Sequence, residues 1–390
     1  MNPLEIHRLN DRRLSISFDI CHLTGNTPTD GNSSVITNLA TNLHGVGKTR
    51  NIDVILYALK EGVLDQVPES EISHVLGSNL SIPAHRLVRY GLPMNLLKDR
   101  PNVFLNIASC YQPTYVPSKF VSIVHDIAFE LDEWRSYYTD ELREFLSVNT
   151  RSAVRRSSGL VAVSNRTRED LINVYGVSPE KVSVIHNGFD KKNFNAVPTP
   201  ADLEIRRKLG DYPYFLSVGT LQPRKNYSRL IDAFVKLKRK CKIPHKLIIV
   251  GERGWLSDQI IEIAQANRSH DVVIWGRANQ NELPALYRNA FAMVFPALYE
   301  GFGIPAVEAM ACGIPVLGSE TGSLGEIIGS FGLQFSPYSV DSIANSMELL
   351  LNDGSLVAEL KRKSIERAEH FGWEISANEY IDYCLSIARG

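Results

Sequence analysis

The chain has 390 residues, 44% of them hydrophobic and 22% charged, which is enough for two domains with separate cores. Its formal net charge of −1 gives no electrostatic ground for a nucleic-acid partner. Five scattered cysteines with no CxxC pair argue against a disulfide framework or a thiolate zinc site and favour a reducing compartment.

The first residues, "MNPLEIHRLNDRR", lack the apolar segment of a secretory signal. Buried strands are then predicted at 14–20, 53–59, 103–108, 120–128, 159–164 and 182–188, where β-branched and apolar runs recur. Between the first two lies "HGVGKTR" (44–50), which has the ending of a nucleotide-triphosphate cradle. A helical pattern precedes it and a strand follows, the reverse of a phosphate cradle, and the first glycine is replaced by Asn42. The stretch is instead read as a helix end, with Gly45 and Gly47 as its stop.

Further along, Arg86, Arg89, Lys98 and Arg100 interleave with Tyr90, Leu92 and Met94. A solvated surface is the first reading of this cluster. Peripheral contact with anionic lipid headgroups or a lipid-diphosphate acceptor is the second. His125 and Asp126 directly follow the run "FVSIV" and so stand at the end of a strand.

After the proline-bearing stretch 193–204 the pattern restarts, with strands predicted at 214–220, 245–251, 271–276, 290–297, 315–319 and 332–337. The run 290–299 is the longest apolar one, far short of the roughly 20 residues a bilayer span requires. A cytoplasmic protein is therefore expected. In "NYSRLIDAFVKLKRK" apolar residues recur at helical spacing. Alternating strands and helices of this kind imply two doubly wound α/β domains with parallel sheets, whose ligands bind beyond the carboxyl ends of the strands. The expected division is 1–197, 198–372 and a final helix, 373–390.

Two loops in the second block carry chemistry. In "SVGTLQPRKN" (217–226), Arg224 and Lys225 lie between a strand and an amphipathic helix, where paired cations suit a leaving group that gains negative charge. In "FPALYEGFGIPAVEAMACGIPVLGS" (295–319), Glu300 follows a strand and Glu308 lies on the next helix, which Pro305 is suited to open. The amides around Phe302, Gly303 and Ile304 then present a positive helix terminus to a diphosphate, and Gly301 and Gly303 allow close approach.

The pair Glu300…Glu308 in "EGFGIPAVE", together with "VGTLQPRKN", resembles the retaining glycosyltransferases of family 4, of GT-B fold. The ordered matches "VSNRTREDLINVYGVSPEKVSVIHNGFD" (163–190), "VGERGW" (250–255) and "ELPALYRNAFAMVFPALYEGFG" (282–303) extend the likeness over most of residues 120–375. The resemblance implies two Rossmann-like domains facing each other across a cleft, with the C-terminal helix crossing back to the first. It implies His125, Arg224, Lys225 and Glu300 as catalytic residues. Gly219, Arg277, Gly301, Phe302, Gly303, Ile304 and Glu308 become donor-binding, Glu308 through the ribose hydroxyls; for Arg277, after the strand at 271–276, a place along the base and a solvated side chain are equal readings. The Gly-rich acceptor loop of the family is reduced here to Gly31, after Asp30.

The reaction implied is transfer of a hexose from a nucleoside-diphosphate sugar to a hydroxyl of a glycan or lipid-linked oligosaccharide, with retention. "VHDIAFE" (124–130) resembles the loop of members that transfer mannose, making GDP-mannose the first donor to test, ahead of UDP- and dTDP-sugars. No two aspartates stand two positions apart, so the metal-holding Asp-x-Asp pair of many transferases is lacking. Neither a metal nor another cofactor is expected. A sugar-nucleotide epimerase and a non-catalytic sugar-nucleotide-binding protein are the rival readings.

Overall fold

The computed structural model of the protein describes residues 13–21, 31–59, 72–76 and 83–390. Two parallel sheets organise it. The first contains β1 (Ser15–Asp19), β2 (Asp53–Ala58), β3 (His74–Val75), β4 (Val103–Ile107), β5 (Lys119–Val124), β6 (Gly159–Ala162) and β7 (Val182–Val184), in the order β3-β2-β1-β4-β5-β6-β7. The second contains β8 (Tyr214–Val218), β9 (Lys246–Val250), β10 (Val272–Gly276), β11 (Ala292–Phe295), β12 (Val316–Ser319) and β13 (Leu333–Phe335), in the order β10-β9-β8-β11-β12-β13. All twelve expected strands form. The addition is β3, a two-residue edge strand too short for any periodicity to reveal.

Strands such as β4, β6, β8 and β11 are buried along their whole length, as sheets covered by helices on both faces require. The helix Tyr227–Cys241 shows how the cover is made: Tyr227, Leu230, Ile231, Phe234 and Leu237 are all buried against its sheet, while Lys236 and Lys240 face solvent. In each sheet the strand order reverses between two neighbours, β1 and β4 in the first and β8 and β11 in the second. Loops leaving those strands flank a crevice. Those after β8 and β11 carry Arg224, Lys225 and Glu300.

One expectation fails in the first sheet. The helix Gly31–Arg50 runs through both Gly45 and Gly47 and ends only at Asn51, which takes the left-handed conformation (φ 58°). Gly47 is instead a packing residue, since a Cβ there would lie 2.6 Å from Val54 Cγ2 and 2.9 Å from the Ile52 carbonyl. The helix end thereby lies flush against the start of β2. The absence of a phosphate cradle at this stretch stands.

The last helix, Trp373–Arg389, returns to the first sheet's side of the molecule. Its Asp382 pairs with Arg50 at 2.5 Å, Tyr383 donates to the Lys181 carbonyl at 2.9 Å, and Ser376 donates to the His186 carbonyl at 2.7 Å. Among the described residues no helix is long and apolar enough to cross a membrane.

Candidate active site

The loop after β8 is built to turn two cations inward. Gly219 has a φ of 149°, and its carbonyl accepts the Tyr227 hydroxyl at 2.8 Å. Pro223 opens a single 3-10 turn, Pro223–Lys225, which Asn226 closes in the left-handed conformation (φ 62°). The Asn226 side-chain amide donates to the carbonyls of Pro296 at 3.0 Å and Pro337 at 2.8 Å, tying the loops after β11 and β13 to the loop after β8. Arg224 and Lys225 are each only 8% exposed in consequence.

Both cations meet Glu300, itself 8% exposed. Lys225 Nζ donates to Glu300 Oε1 at 2.6 Å, Arg224 Nη1 lies 3.4 Å from the same oxygen, and Arg224 also donates to the Tyr299 carbonyl. Burial opposes the charge on Glu300, yet Lys225 and Arg224 outweigh it and hold the carboxyl below the usual range. Burial likewise opposes the Arg224 charge, and Glu300 outweighs it. Lys225 is pulled below its ordinary value by burial, which Glu300 offsets only in part. The sequence suggested a pair of cations suited to a leaving group; here both are already engaged by a carboxylate. Asp126, from the first half, acts on both cations as well, so two carboxylates from opposite walls hold the two charges.

Beyond β11, Gly303 takes φ 101° and starts the helix Ile304–Ala311, with Pro305 in its first turn. First-turn amides have no i→i−4 partner within a helix, and Ile304 opens this first turn. Phe302 contributes backbone alone. Its ring is buried 5.8 Å from His186 and 5.6 Å from Phe371, and its carbonyl accepts from Ser323 at 2.8 Å. One turn along, Glu308 Oε2 accepts the Tyr287 hydroxyl at 3.1 Å. Burial pushes the Glu308 carboxyl up to about 7, against the pull of that hydrogen bond. Arg277, after β10, pairs with Glu252 from the loop after β9 at 2.8 Å.

The first sheet supplies the opposite wall. His125 follows β5 and is half-buried, and Asp126 holds this loop by accepting the Ala128 amide at 3.1 Å. Gly301 lies directly against it: a Cβ on Gly301 would come within 1.9 Å of the His125 carbonyl oxygen and 2.9 Å of Asp126 Cβ. No rotamer relieves a clash with backbone. Gly301→Ala is therefore expected to force the two halves apart, enlarging the radius of gyration in small-angle scattering. Misplacement by about 1 Å is enough to lower turnover roughly a hundredfold. An unchanged radius with full activity would refute the contact.

The Glycosyl transferases group 1 family matches residues 199–371, and Glycosyltransferase Family 4 matches residues 30–193. An uncharacterized glycosyltransferase from Methanocaldococcus jannaschii is 30% identical over 274 residues, covering 67% of this chain and 68% of that relative. The chain belongs to the group 1 glycosyltransferases. The O-antigen chain mannosyltransferase B of Escherichia coli is 26% identical over 336 residues, covering 82% of this chain and 87% of that protein. The fold of the glycosyltransferase is that of Anabaena HepE, solved in complex with UDP-glucose, at a TM-score of 0.72 and 19% identity, covering 96% of this chain and all of that one. It is the GT-B fold.

In this glycosyltransferase the residues singled out from the sequence fall into three groups. Arg224, Lys225 and Glu300 form one cluster, joined by Gly219 behind them and by the Gly301–Gly303 backbone in front. His125 reaches this cluster from the first half through its contact with Gly301. Glu308 sits deeper along its helix with Tyr287, and Arg277 stands in a separate, half-exposed ion pair. Gly31 is the first residue of the helix Gly31–Arg50, and Asp30 lies outside the described residues. Leu92, grouped with the basic cluster, is fully buried, whereas Tyr90 and Met94 are exposed.

Several contacts at this junction were given no role from the sequence. Tyr138 meets Arg224 with its hydroxyl, and burial raises that phenol, with Asp126 adding to the effect. Trp255 donates to the Tyr137 carbonyl and stacks on Tyr138 at 5.8 Å. His186, read from sequence only as part of a turn, bonds Glu326 at 2.7 Å, and Glu326 also accepts the Asn165 backbone amide at 3.0 Å. Each of these bridges the two halves.

Proposed function

We propose that the protein transfers a hexose, with retention of configuration and without a metal ion, from a nucleoside-diphosphate sugar to a hydroxyl of a glycan or lipid-linked oligosaccharide. The observation that carries this reading is the buried pair of cations, Arg224 and Lys225, gathered on Glu300 beside the start of the Ile304 helix. In the proposed ground state the diphosphate lies on the two cations and the helix amides. Both cation contacts of Glu300 use Oε1, which leaves Oε2 for a hydroxyl of the donor sugar. Glu308 accepts the ribose hydroxyls, Arg277 lies along the base, and His125 contacts the transferred sugar from the opposite wall.

In the reaction, the bond from the anomeric carbon to the β-phosphate oxygen breaks, and the acceptor oxygen bonds to the same face of the sugar. The acceptor's proton passes to the departing phosphate oxygen. Arg224, Lys225 and the helix terminus stabilise the charge that builds there, as preorganised donors do in a site closed to water.

The name of the E. coli relative favours mannose, with GDP as its carrier following only from the likeness of the 124–130 loop; the UDP-glucose complex of HepE keeps UDP-sugars in the trial. For the acceptor we favour a lipid-linked glycan reached at a membrane surface. Tyr90, Met94 and Leu97 are 61%, 72% and 48% exposed along one helical stripe, flanked by Arg86, Arg89, Lys98 and Arg100. The only carboxylate among residues 84–100, Asp99, is taken up by His74 at 2.8 Å and Tyr57 at 2.7 Å. Exposed apolar side chains among cations suit an anionic bilayer.

The test is thermal shift against GDP-mannose, UDP-glucose and a dTDP-sugar, followed by transfer assays with lipid-linked glycans in neutral and anionic vesicles. One nucleotide sugar is expected to raise the Tm, and its nucleotide to be released only when acceptor is present, faster on anionic vesicles. Release without acceptor would point to an epimerase. No shift with any nucleotide sugar would sink the reading.

A further inference from the structure

The loop bearing Glu300 is held from two sides. From its own half, the Leu298 amide donates to the Arg224 carbonyl at 2.9 Å, Thr321 donates to the Leu298 carbonyl at 2.9 Å, and the Ser323 amide donates to the Glu300 carbonyl at 3.1 Å. From the other half comes the helix Asn165–Tyr175. The Tyr299 hydroxyl donates to Asp170 Oδ2 at 2.5 Å, and Arg166 Nε donates to the same oxygen at 3.0 Å. The Arg166 guanidinium lies over the Tyr299 ring at 5.5 Å. Thr167 Oγ1, fully buried, lies 3.2 Å from the His125 carbonyl and 3.4 Å from the Gly301 carbonyl.

One short helix thus touches both the loop of His125 and the loop of Glu300, and its Asp170 contacts neither reactive group. Resting on the glycosyltransferase reading above, we propose that Asp170, through the Tyr299 hydroxyl and assisted by Thr167, is a positioning residue that sets Glu300 in register with His125 when the two halves meet. A carboxylate is suited to this task. It accepts from a neutral phenol and a guanidinium together, and such charge-assisted bonds are shorter and more directional than neutral ones. Tyr299 is 1% exposed and Asp170 4%, so water does not compete for either group. Removing the phenolic oxygen alone leaves the ring, the arginine stacked on it and the Glu300 ion pairs in place, and loosens only the register.

The deciding variants are Tyr299→Phe, Asp170→Asn and Asp170→Ala, assayed for transfer beside the wild type. Tyr299→Phe is expected to lower kcat by about tenfold or more while donor KM stays within about twofold, since the cations that bind the diphosphate are untouched. Asp170→Asn, which keeps an acceptor oxygen, retains most of the rate, and Asp170→Ala does not. Asp170→Ala in the Tyr299→Phe background loses nothing further, because the two groups act as one contact. A lowered Tm with kcat unchanged, or losses that multiply in the double variant, would overturn the proposal. A second readout needs no activity: in Tyr299→Phe the hydrogen-bonded amides of Leu298 and Ser323, which hold this loop, exchange faster while those of β11 do not. If the wild-type protein transfers no sugar, the functional reading fails, and the exchange data still decide the lock.

Discussion

Replacing both Arg224 and Lys225 with alanine is expected to lower turnover by about a thousandfold or more, whatever the identity of the sugar. Loss of a single preorganised donor to a developing anion costs about 10²–10³ in kcat, and here two full charges disappear from a buried position. The change corresponds to roughly 4 kcal/mol of transition-state stabilisation. The free protein suffers as well, because Glu300 is left buried without its partners and an unpaired charge of that kind is strongly destabilising. A triple variant that adds Glu300→Gln separates the two effects. It should recover thermal stability without recovering turnover. Turnover returning with stability would show that the cations hold the loop together and do nothing for the leaving group. On the proposed reading, in which these charges take the place a divalent ion holds elsewhere, the wild-type reaction is expected to persist in a chelator; abolition by the chelator and rescue by manganese would defeat that expectation.

The second large effect concerns Glu308. Its carboxyl titrates at about 7 in the free protein because burial disfavours the charged form, whereas accepting two ribose hydroxyls requires the carboxylate. Donor affinity should therefore be flat above pH 7 and weaken tenfold per unit below it, reaching about a hundredfold loss at pH 5. Stability runs the other way. A carboxyl whose folded value lies above its ordinary 4.5 costs the folded state nothing at low pH. The cost grows as pH rises from about 4.5 and is complete above about 7, where it amounts to roughly 3 kcal/mol. Glu308→Gln keeps an acceptor for the Tyr287 hydroxyl and removes the charge. At pH 8 it should be more stable than the wild type and bind donor more weakly, with no inflection near 7. Calorimetric titration and thermal melts across pH 5–8 check both halves. Unchanged donor affinity would reject the ribose assignment.

The sequence was most informative where one local segment determines the outcome. The runs "LIIV" (247–250) and "YFLSV" (214–218) are apolar but for Ser217, are bounded by turn residues, and lie in covered strands. The cations of "QPRKN" were legible because proline, a short turn and a helix start dictate where the loop lies. Gly45 and Gly47 misled for the opposite reason: a glycine stop and a glycine that lets a helix end touch a strand look alike until Val54 is seen beside it. What lay beyond reading was contact between distant segments. Tyr299 and Asp170 are 129 positions apart, Glu326 and His186 are 140 apart, and nothing local in either member foretells the other. Glu300 was assigned to the sugar, and its grip on both cations appeared only once the loops after β8 and β11 stood side by side.

The return of the final helix to the first sheet's side has a mechanical meaning. The backbone passes between the halves twice, once going out after β7 and once coming back before Trp373, so the second half is in effect inserted into the first. A body carried on a single tether swivels freely; one carried on two adjacent leaves swings like a door, about a single line. Two adjacent crossings confine any relative movement of the halves to that arc, with each wall still facing the other. Cutting the chain just before Trp373 would remove one leaf and strip part of the lining from the half where the chain begins, damaging the end of the molecule farthest away in sequence.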